Sequence, residues 1–342
     1  MKPDEYHSDP IDQMLRVPTL QHLLKELRSG LSRYWAAAGQ ILKPCGVRVR
    51  PPGESAFSLS KNFFSVLFLY SYHRMGVPRS RRVLYAATLQ CLRGMVTGCD
   101  NLLDDEYKPT LETDIPATGH RFRSVVDIMV SDRALFHLLT DAARKGEITD
   151  DRVLAASTAS MQTMTRSGVQ EATEEAGIDV ILAPKAILQS IHHFKTGLLF
   201  QCPWDIPRTI EPIAQTELAP LLEGLYRIGM GCQILDDMVD LGPDIRAKRH
   251  NYLVSLIHHG IDPEEKKKLA RIMSIQGQGH LDAVPVHHYP QALDQAWETA
   301  HRLLRSGLET LFEPPDQMLV TPAIRFLVKR IGATALGLER TS

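Results

Sequence analysis

Apolar residues recur along this chain every three or four positions and almost nowhere in strict alternation. Leu20, Leu23, Leu24, Leu27 and Leu31 form one such stripe, at the spacing that lines one face of an α-helix. The segment KPCGVRVRPPGE (43–54) breaks it, rich in proline and glycine. A second apolar stretch runs from about Leu59 to Tyr72 and is punctuated by MGVPRS. From Arg81 the pattern resumes through Val83, Leu84, Ala87, Leu89 and Leu92, then enters VTGCDNLLDDE. YKPTLETDIPATGH reads as a loop from its prolines, glycine and threonines. Further helices are predicted over 121–145, 150–176, 184–200, 214–241 and 290–312, with a last one reaching Gly337. Ser274–Pro290 is the other long loop. Strand-type alternation and tandem repeats are both missing. No shift in composition marks a boundary, so the pattern predicts one all-α domain over 1–342. Its core lies at about 57–338, behind an N-terminal helix and linker (1–56).

Composition narrows the class. With 342 residues and 44% hydrophobic content the chain can bury a large core, and it is too apolar to be disordered. A formal net charge of −1 gives no case for nucleic acid or an anionic membrane as partner. The start, MKPDEYHSDPIDQML, has no apolar core that could act as a signal peptide. FFSVLFLYSY (63–72) is too short to span a bilayer, so no transmembrane segment is expected. The five cysteines are odd in number and show no C-x-x-C pairing; they read as reduced thiols in a cytoplasmic protein.

Charge placement is where chemistry enters. GCQILDDMVDLGPD (231–244) carries Asp236, Asp237, Asp240 and Asp244 inside an otherwise apolar helix. At 3.6 residues per turn Asp236, Asp240 and Asp244 stack on one face, with Asp237 beside them, and like charges so placed repel. A bound cation answers that repulsion. By the same argument, changing Asp236 and Asp237 to Asn is expected to leave the fold intact or slightly stabilised. CDNLLDDEYK holds a second cluster, Asp100, Asp104, Asp105 and Glu106, with Asp100 and Asp104 one turn apart. A lone cluster of this kind is as readily a solvated helix end. Two of them, facing each other across a helical bundle, would line a pocket mouth suited to Mg²⁺, which takes one or two carboxylates, keeps waters and bridges to phosphates.

DNLLDDE and GMGCQILDDMVD resemble the first and second aspartate-rich motifs of the trans-isoprenyl diphosphate synthases and the related class I terpenoid synthases. Gln233 lies three residues before the full D-D-x-x-D of Asp236, Asp237 and Asp240. HHFKTGLLF (192–200) resembles the family's Lys-Thr segment, and DIRAKRHNYL supplies Lys248 and Arg249 after the second motif. The resemblance covers roughly 60–260. It implies an all-α bundle of the isoprenoid synthase type around an apolar cavity, and a homodimer. The implied metal set is Asp100, Asp104, Asp105, Asp236, Asp237 and Asp240, holding three Mg²⁺ with Mn²⁺ as a substitute. Lys195, Lys248 and Arg249 would contact the diphosphate of an allylic prenyl substrate, with Arg121 and Arg123 as weaker candidates. Asp100, Asp104, Asp236, Asp237 and Gln233 would serve catalysis, Gln233 by bonding the diphosphate or steering the carbocation. Leu92, Met95 and Val96 would floor the prenyl cavity; none is aromatic, which fits C15 and C20 chains.

The chain also departs from the pattern. Chain-elongating members carry Gly-Gly-Lys-x-x-Arg-Pro before the first motif, where this sequence reads SLSKNFFSVLF: Lys61 matches the lysine, but Asn62, Phe63 and Phe64 supply no arginine. Asn101 stands where a second aspartate is common, with Asp105 and Glu106 as compensation. The loss of cationic residues favours a terpene synthase that ionises one prenyl diphosphate and cyclises or eliminates it. Chain elongation with isopentenyl diphosphate is the alternative, and a non-catalytic regulatory subunit the second.

Rival metal chemistries find less support. A di-iron carboxylate bundle needs two Glu-x-x-His motifs, and Glu298–His301 is one. The doublets His192–His193, His258–His259 and His287–His288 suggest zinc, but neighbours on a helix diverge in direction. EEKKKLAR (264–271) reads as a solvated helix face.

Overall fold

Helices form where the 3.6-residue pattern places them. The computed structural model describes residues 9–105, 107–274 and 285–337. Among these residues the structure is helical, with an isolated antiparallel bridge between Val49 and Thr113 as its β-type contact. Glu106 and most of the loop expected between Ser274 and Pro290 lie outside the described residues. Contacts group the chain into two compact units. An N-terminal unit comprises 11–162 with 202–218, and a C-terminal unit comprises 163–201 and the residues from 219 on, with 9–10. Composition shows no boundary because three of the four crossings fall inside helices, Pro10–Met14, Met161–Ala172 and Gln215–Val239. No linker sequence is needed there.

The N-terminal unit is built on α1 (Pro18–Leu42), α2 (Leu59–Arg74), α3 (Arg79–Leu103), α4 (His120–Arg144) and α5 (Asp150–Ala159). Pro18 opens α1, where its missing N–H costs nothing. Leu20, Leu23, Leu27 and Leu31 are all buried, each contributing about 1.5–3 kcal/mol. α3 packs against both α1 and α4. Its approach to α4 is set by Gly94 and Gly98: a Cβ on Gly98 would lie 2.6 Å from Ile128 Cγ1. The start of α3 is tied to α1 by a buried fork, Arg82 donating to both oxygens of Glu26 at 2.6 and 2.8 Å. α3 is thus fixed along its length, and its last turn carries the first acidic cluster.

In the C-terminal unit α6 (Met161–Ala172) leads to an eleven-residue π-helix (Ile187–Gly197). α7 (Gln215–Val239), α8 (Leu241–Ala247), α9 (Tyr252–His259), α10 (Pro263–Ser274), α11 (Pro290–Leu311) and α12 (Val320–Ile331) follow. α11 packs on α9 and α12. Gly231 lets α7 approach α11, since a Cβ there would meet Leu304 Cγ at 2.7 Å.

Two expectations need correction. The helix predicted over 150–176 is interrupted at Ser160, within a run of Ser and Thr that are weak helix formers. Glu265, read as part of a solvated face, is buried, and its carboxylate accepts from the backbone N–H groups of Gln291 (2.7 Å) and Ala292 (3.4 Å). It satisfies the exposed donors at the start of α11. No helix among the described residues is long and apolar enough to cross a membrane. All five cysteines are free thiols, with Cys91, Cys202 and Cys232 buried.

Candidate active site

Both acidic clusters sit at helix C-termini. There the backbone dipole is already negative, so added carboxylates demand a cation. At the end of α3 Asp100 and Asp104 are exposed, and Asp105 takes a left-handed backbone (φ 53). The Arg121 guanidinium donates twice to Asp105 Oδ1, at 2.9 and 2.8 Å, and His120 Nε2 lies 3.6 Å from the same oxygen. Arg121 thereby holds the Asp105 carboxyl below the usual carboxylate range, with His120 adding to it. The buried Asn101 clamps the chain that follows the helix. It accepts from the backbone N–H of Lys108 (2.9 Å) and donates to its carbonyl (3.1 Å). An aspartate at 101 could not make the donor half of that clamp, which gives a local reason for the departure at this position.

Arg123 is engaged with its own neighbours. Its guanidinium is buried 4.4 Å over the Tyr107 ring, with Nη2 at 3.4 Å from Glu112 Oε2. It packs against the loop after the cluster. On the preceding turns of α3 Leu92 and Met95 are buried and Val96 is half-buried. Arg93, which the sequence pattern does not mark, is exposed and donates at 3.4 Å to both the Lys61 carbonyl and Asn62 Oδ1. Asn62 sits at a kink of α2 (φ −121, ψ 22). Lys61 itself is exposed, its Nζ donating to Ser55 Oγ at 3.2 Å.

The second cluster has a different character. Asp236 is exposed and Asp240 half-buried, but Asp237 is 2% exposed. Its Oδ1 accepts from Gln233 Nε2 at 3.0 Å and its Oδ2 from the backbone N–H of Tyr252 at 2.5 Å. His192 Nε2 lies 2.9 Å from Oδ2, off the line of a hydrogen bond, and both nitrogens of that buried ring are without a hydrogen-bond partner. Burial alone would push the Asp237 carboxyl up. The charge attraction of His192, with the Tyr252 and Gln233 donors, outweighs it and holds the carboxyl below its usual value. Asp237 is therefore an internal anchor whose oxygens face protein donors. Gln233 is fixed from its other end by Thr196, whose hydroxyl donates to Oε1. The pair joins the π-helix to α7, and π-helical turns are frequent at functional sites.

Lys195, one residue earlier on the π-helix, has Nζ 3.3 Å from Glu171 Oε1. Burial works against its charge, but Glu171, then Asp237, Asp244 and Glu174, more than offset it and raise the ammonium pKa. Lys248 adopts a left-handed backbone (φ 52) that ends α8, and its carbonyl accepts from Ile178 N–H at 2.8 Å. The side chain of Lys248 is exposed, and Arg249 is half-buried. Asn251, which sequence reasoning missed, is a hub: Nδ2 donates to the Asp237 carbonyl (2.6 Å) and Asp244 Oδ2 (2.8 Å), while Oδ1 caps α9 by accepting from Val254 N–H (3.0 Å). The signal was present, an Asn just before the apolar run YLVSL. His193 turns away to Tyr226 Oη at 3.1 Å, so the 192–193 doublet does diverge.

Among the described residues no three His, Cys, Asp or Glu side chains form a metal-binding group. Each unit does offer a pair of helix-end carboxylates spaced i, i+4, Asp100 with Asp104 and Asp236 with Asp240. That donor set fits Mg²⁺, which completes its shell with water and phosphate oxygens.

No family model matches the chain, and no curated protein does. Solved structures do. A decaprenyl diphosphate synthase from Rhodobacter capsulatus is 18% identical with a TM-score of 0.61, covering 90% of this chain and 99% of that one. A heptaprenyl diphosphate synthase from Staphylococcus aureus is 15% identical with a TM-score of 0.63, covering 89% and 98%. A geranylgeranyl pyrophosphate synthetase from the archaeon Geoglobus acetivorans is 17% identical with a TM-score of 0.57, covering 90% and 96%. At these identities the likeness bears on architecture: the chain has the all-α fold of the isoprenyl diphosphate synthases.

Proposed function

We propose that this protein is a Mg²⁺-dependent prenyltransferase that condenses an allylic prenyl diphosphate of the C15 or C20 class with isopentenyl diphosphate. The observation that carries this reading over terpene cyclisation is Arg93. The Lys-x-x-Arg segment lacks its arginine, yet Arg93 brings a guanidinium to the Lys61 carbonyl and the Asn62 side chain. It lies seven residues before Asp100 on α3, about 10 Å along the helix and close to the same face. A second diphosphate thus regains a cation pair. The names of the three structural neighbours given above, each a synthase of a prenyl diphosphate or pyrophosphate, support the same choice.

In this reading each helix-end pair, Asp100 with Asp104 and Asp236 with Asp240, is a metal-holding pair. When bound, Mg²⁺, with Mn²⁺ as a substitute, neutralises charge on the departing diphosphate. Lys195, with Lys248 and Arg249, holds that leaving group, while Gln233 and Thr196 keep the π-helix and α7 in register beside it. The allylic carbon then bonds to the isopentenyl double bond, and loss of a proton leaves a chain longer by five carbons. A homodimer is part of the proposal, supported by the exposed Phe122, Met129 and Phe136 on α4, whose seven-residue spacing makes one apolar stripe.

Arg93→Ala tests the assignment. It is expected to raise KM for isopentenyl diphosphate about tenfold or more while leaving KM for the allylic substrate near wild type. Equal effects on both, or none, would remove Arg93 from the site. Release of diphosphate unaffected by isopentenyl diphosphate would favour the terpene synthase reading, which the missing arginine at Asn62–Phe64 still supports.

A further inference from the structure

Lys195, the cation assigned above to the leaving diphosphate, is already engaged. Glu171 Oε1 lies 3.3 Å from its Nζ, and the two side chains are 25% and 21% exposed. The contact is held in place from the backbone side: Ser167, one turn before Glu171 on α6, donates its hydroxyl to the Lys195 carbonyl at 3.2 Å. Glu174, three residues on, is occupied elsewhere. It is buried, accepting from His250 N–H at 2.8 Å and from Gln170 Nε2 at 3.2 Å. Glu171 is thus the carboxylate that faces whatever Lys195 binds.

A diphosphate placed on Lys195 arrives a few ångströms from that carboxylate, and Asp237, Asp244 and Glu174 add to the negative field around the ammonium. At about 5 Å and an effective dielectric near 20, one pair of like charges already weakens binding by tenfold or more. The repulsion is relieved only if a cation arrives with the anion. We propose that Glu171 makes diphosphate binding at Lys195 conditional on a divalent metal: the bare anion is repelled, and its metal complex is accepted because Glu171 then answers the metal's charge as it now answers the ammonium. The inference rests on the reading of Lys195 as a diphosphate contact and names Glu171 as the residue that sets the form of anion admitted. By reciprocity, diphosphate must tighten metal binding by the same factor.

Calorimetric titration of the full chain with inorganic diphosphate, in Mg²⁺ and in EDTA, tests it without any turnover. Wild type is expected to bind in Mg²⁺ and at least tenfold more weakly in EDTA. Glu171→Gln, nearly isosteric, is expected to bind about tenfold more tightly than wild type in EDTA, shrinking the gain from Mg²⁺ by the same factor. Glu171→Ala should do the same should the amide pair differently with Lys195. Glu175→Gln, which removes an exposed charge nearby, should change neither titration. Metal-free binding that is unchanged or weakened in both Glu171 variants overturns the proposal, as does an equal gain in Glu175→Gln, which would make the effect one of bulk charge. Lys195→Met separates the two levels: binding that survives it unchanged removes Lys195 from the site, whereas binding lost there with no gain at Glu171 overturns the Glu171 inference alone.

Discussion

The two aspartate clusters are written in nearly the same letters, DNLLDD at 100–105 and DDMVD at 236–240, yet the fold treats them in opposite ways. The first is a helix end open to solvent, whose Asp105 is answered by the exposed Arg121. The second is centred on Asp237, buried and gripped by Gln233, Tyr252 and the nearby His192. An exposed ion pair is screened by water and adds little to stability, whereas a buried carboxylate stripped of its donors is expensive. Adjacent aspartates can therefore divide the labour. Asp236 stays exposed, which suits the ligand role proposed for it, and Asp237 locks α7 to the π-helix and to α9.

The largest effect expected from this contrast is at Asp237. Asp237→Asn keeps the shape but loses the charge facing His192 and sets an amide against the Tyr252 N–H, so the unfolding free energy should drop by about 2–4 kcal/mol. Asp236→Asn should leave stability unchanged while cutting turnover by about a hundredfold or more. This revises the expectation that changing both residues is neutral for the fold. Denaturant unfolding of the two single variants checks it; equal midpoints would contradict the division of labour.

A smaller effect concerns pH. Burial, then repulsion from Asp237, pushes the Asp244 carboxyl up to about 7, against the donors and charges that lower it. Its unfolded value is near 3.9. From about pH 4 to 7 the folded state therefore holds a proton that the unfolded chain has shed, and this group's contribution to stability falls as pH rises through that window. In EDTA, Asp244→Asn should remove about 1–2 kcal/mol of the decline between pH 5 and pH 8, after allowance for partial solvent screening. Parallel stability–pH curves for the variant and wild type would show that Asp244 does not titrate there. The smallest effect belongs to the open cluster: Arg121→Ala breaks the pair with Asp105, and the thermal midpoint should not move measurably in 0.15 M salt.

Much of this was legible in the sequence, and the failures have a common cause. Helix positions followed from periodicity, and the aspartate clusters from charges that an apolar helix does not otherwise tolerate. Periodicity cannot distinguish Asp236 from Asp237, because the difference depends on what folding brings to Asp237 from the π-helix and α9, the His192 ring and the Tyr252 N–H. Glu265 hid in a run of charges because its partner, the start of α11, lies 26 residues away. Arg93 was missed for the opposite reason. The missing arginine belongs to the segment around Lys61, and the guanidinium proposed to stand in for it comes from a neighbouring helix.

Product identification tests the central claim most directly. The purified protein is incubated with Mg²⁺, farnesyl diphosphate and labelled isopentenyl diphosphate, and the label is followed by mass spectrometry before and after phosphatase treatment. The account predicts a prenyl diphosphate longer than the primer, carrying the label and absent in EDTA. A hexane-soluble hydrocarbon or alcohol formed without phosphatase and without label would contradict it.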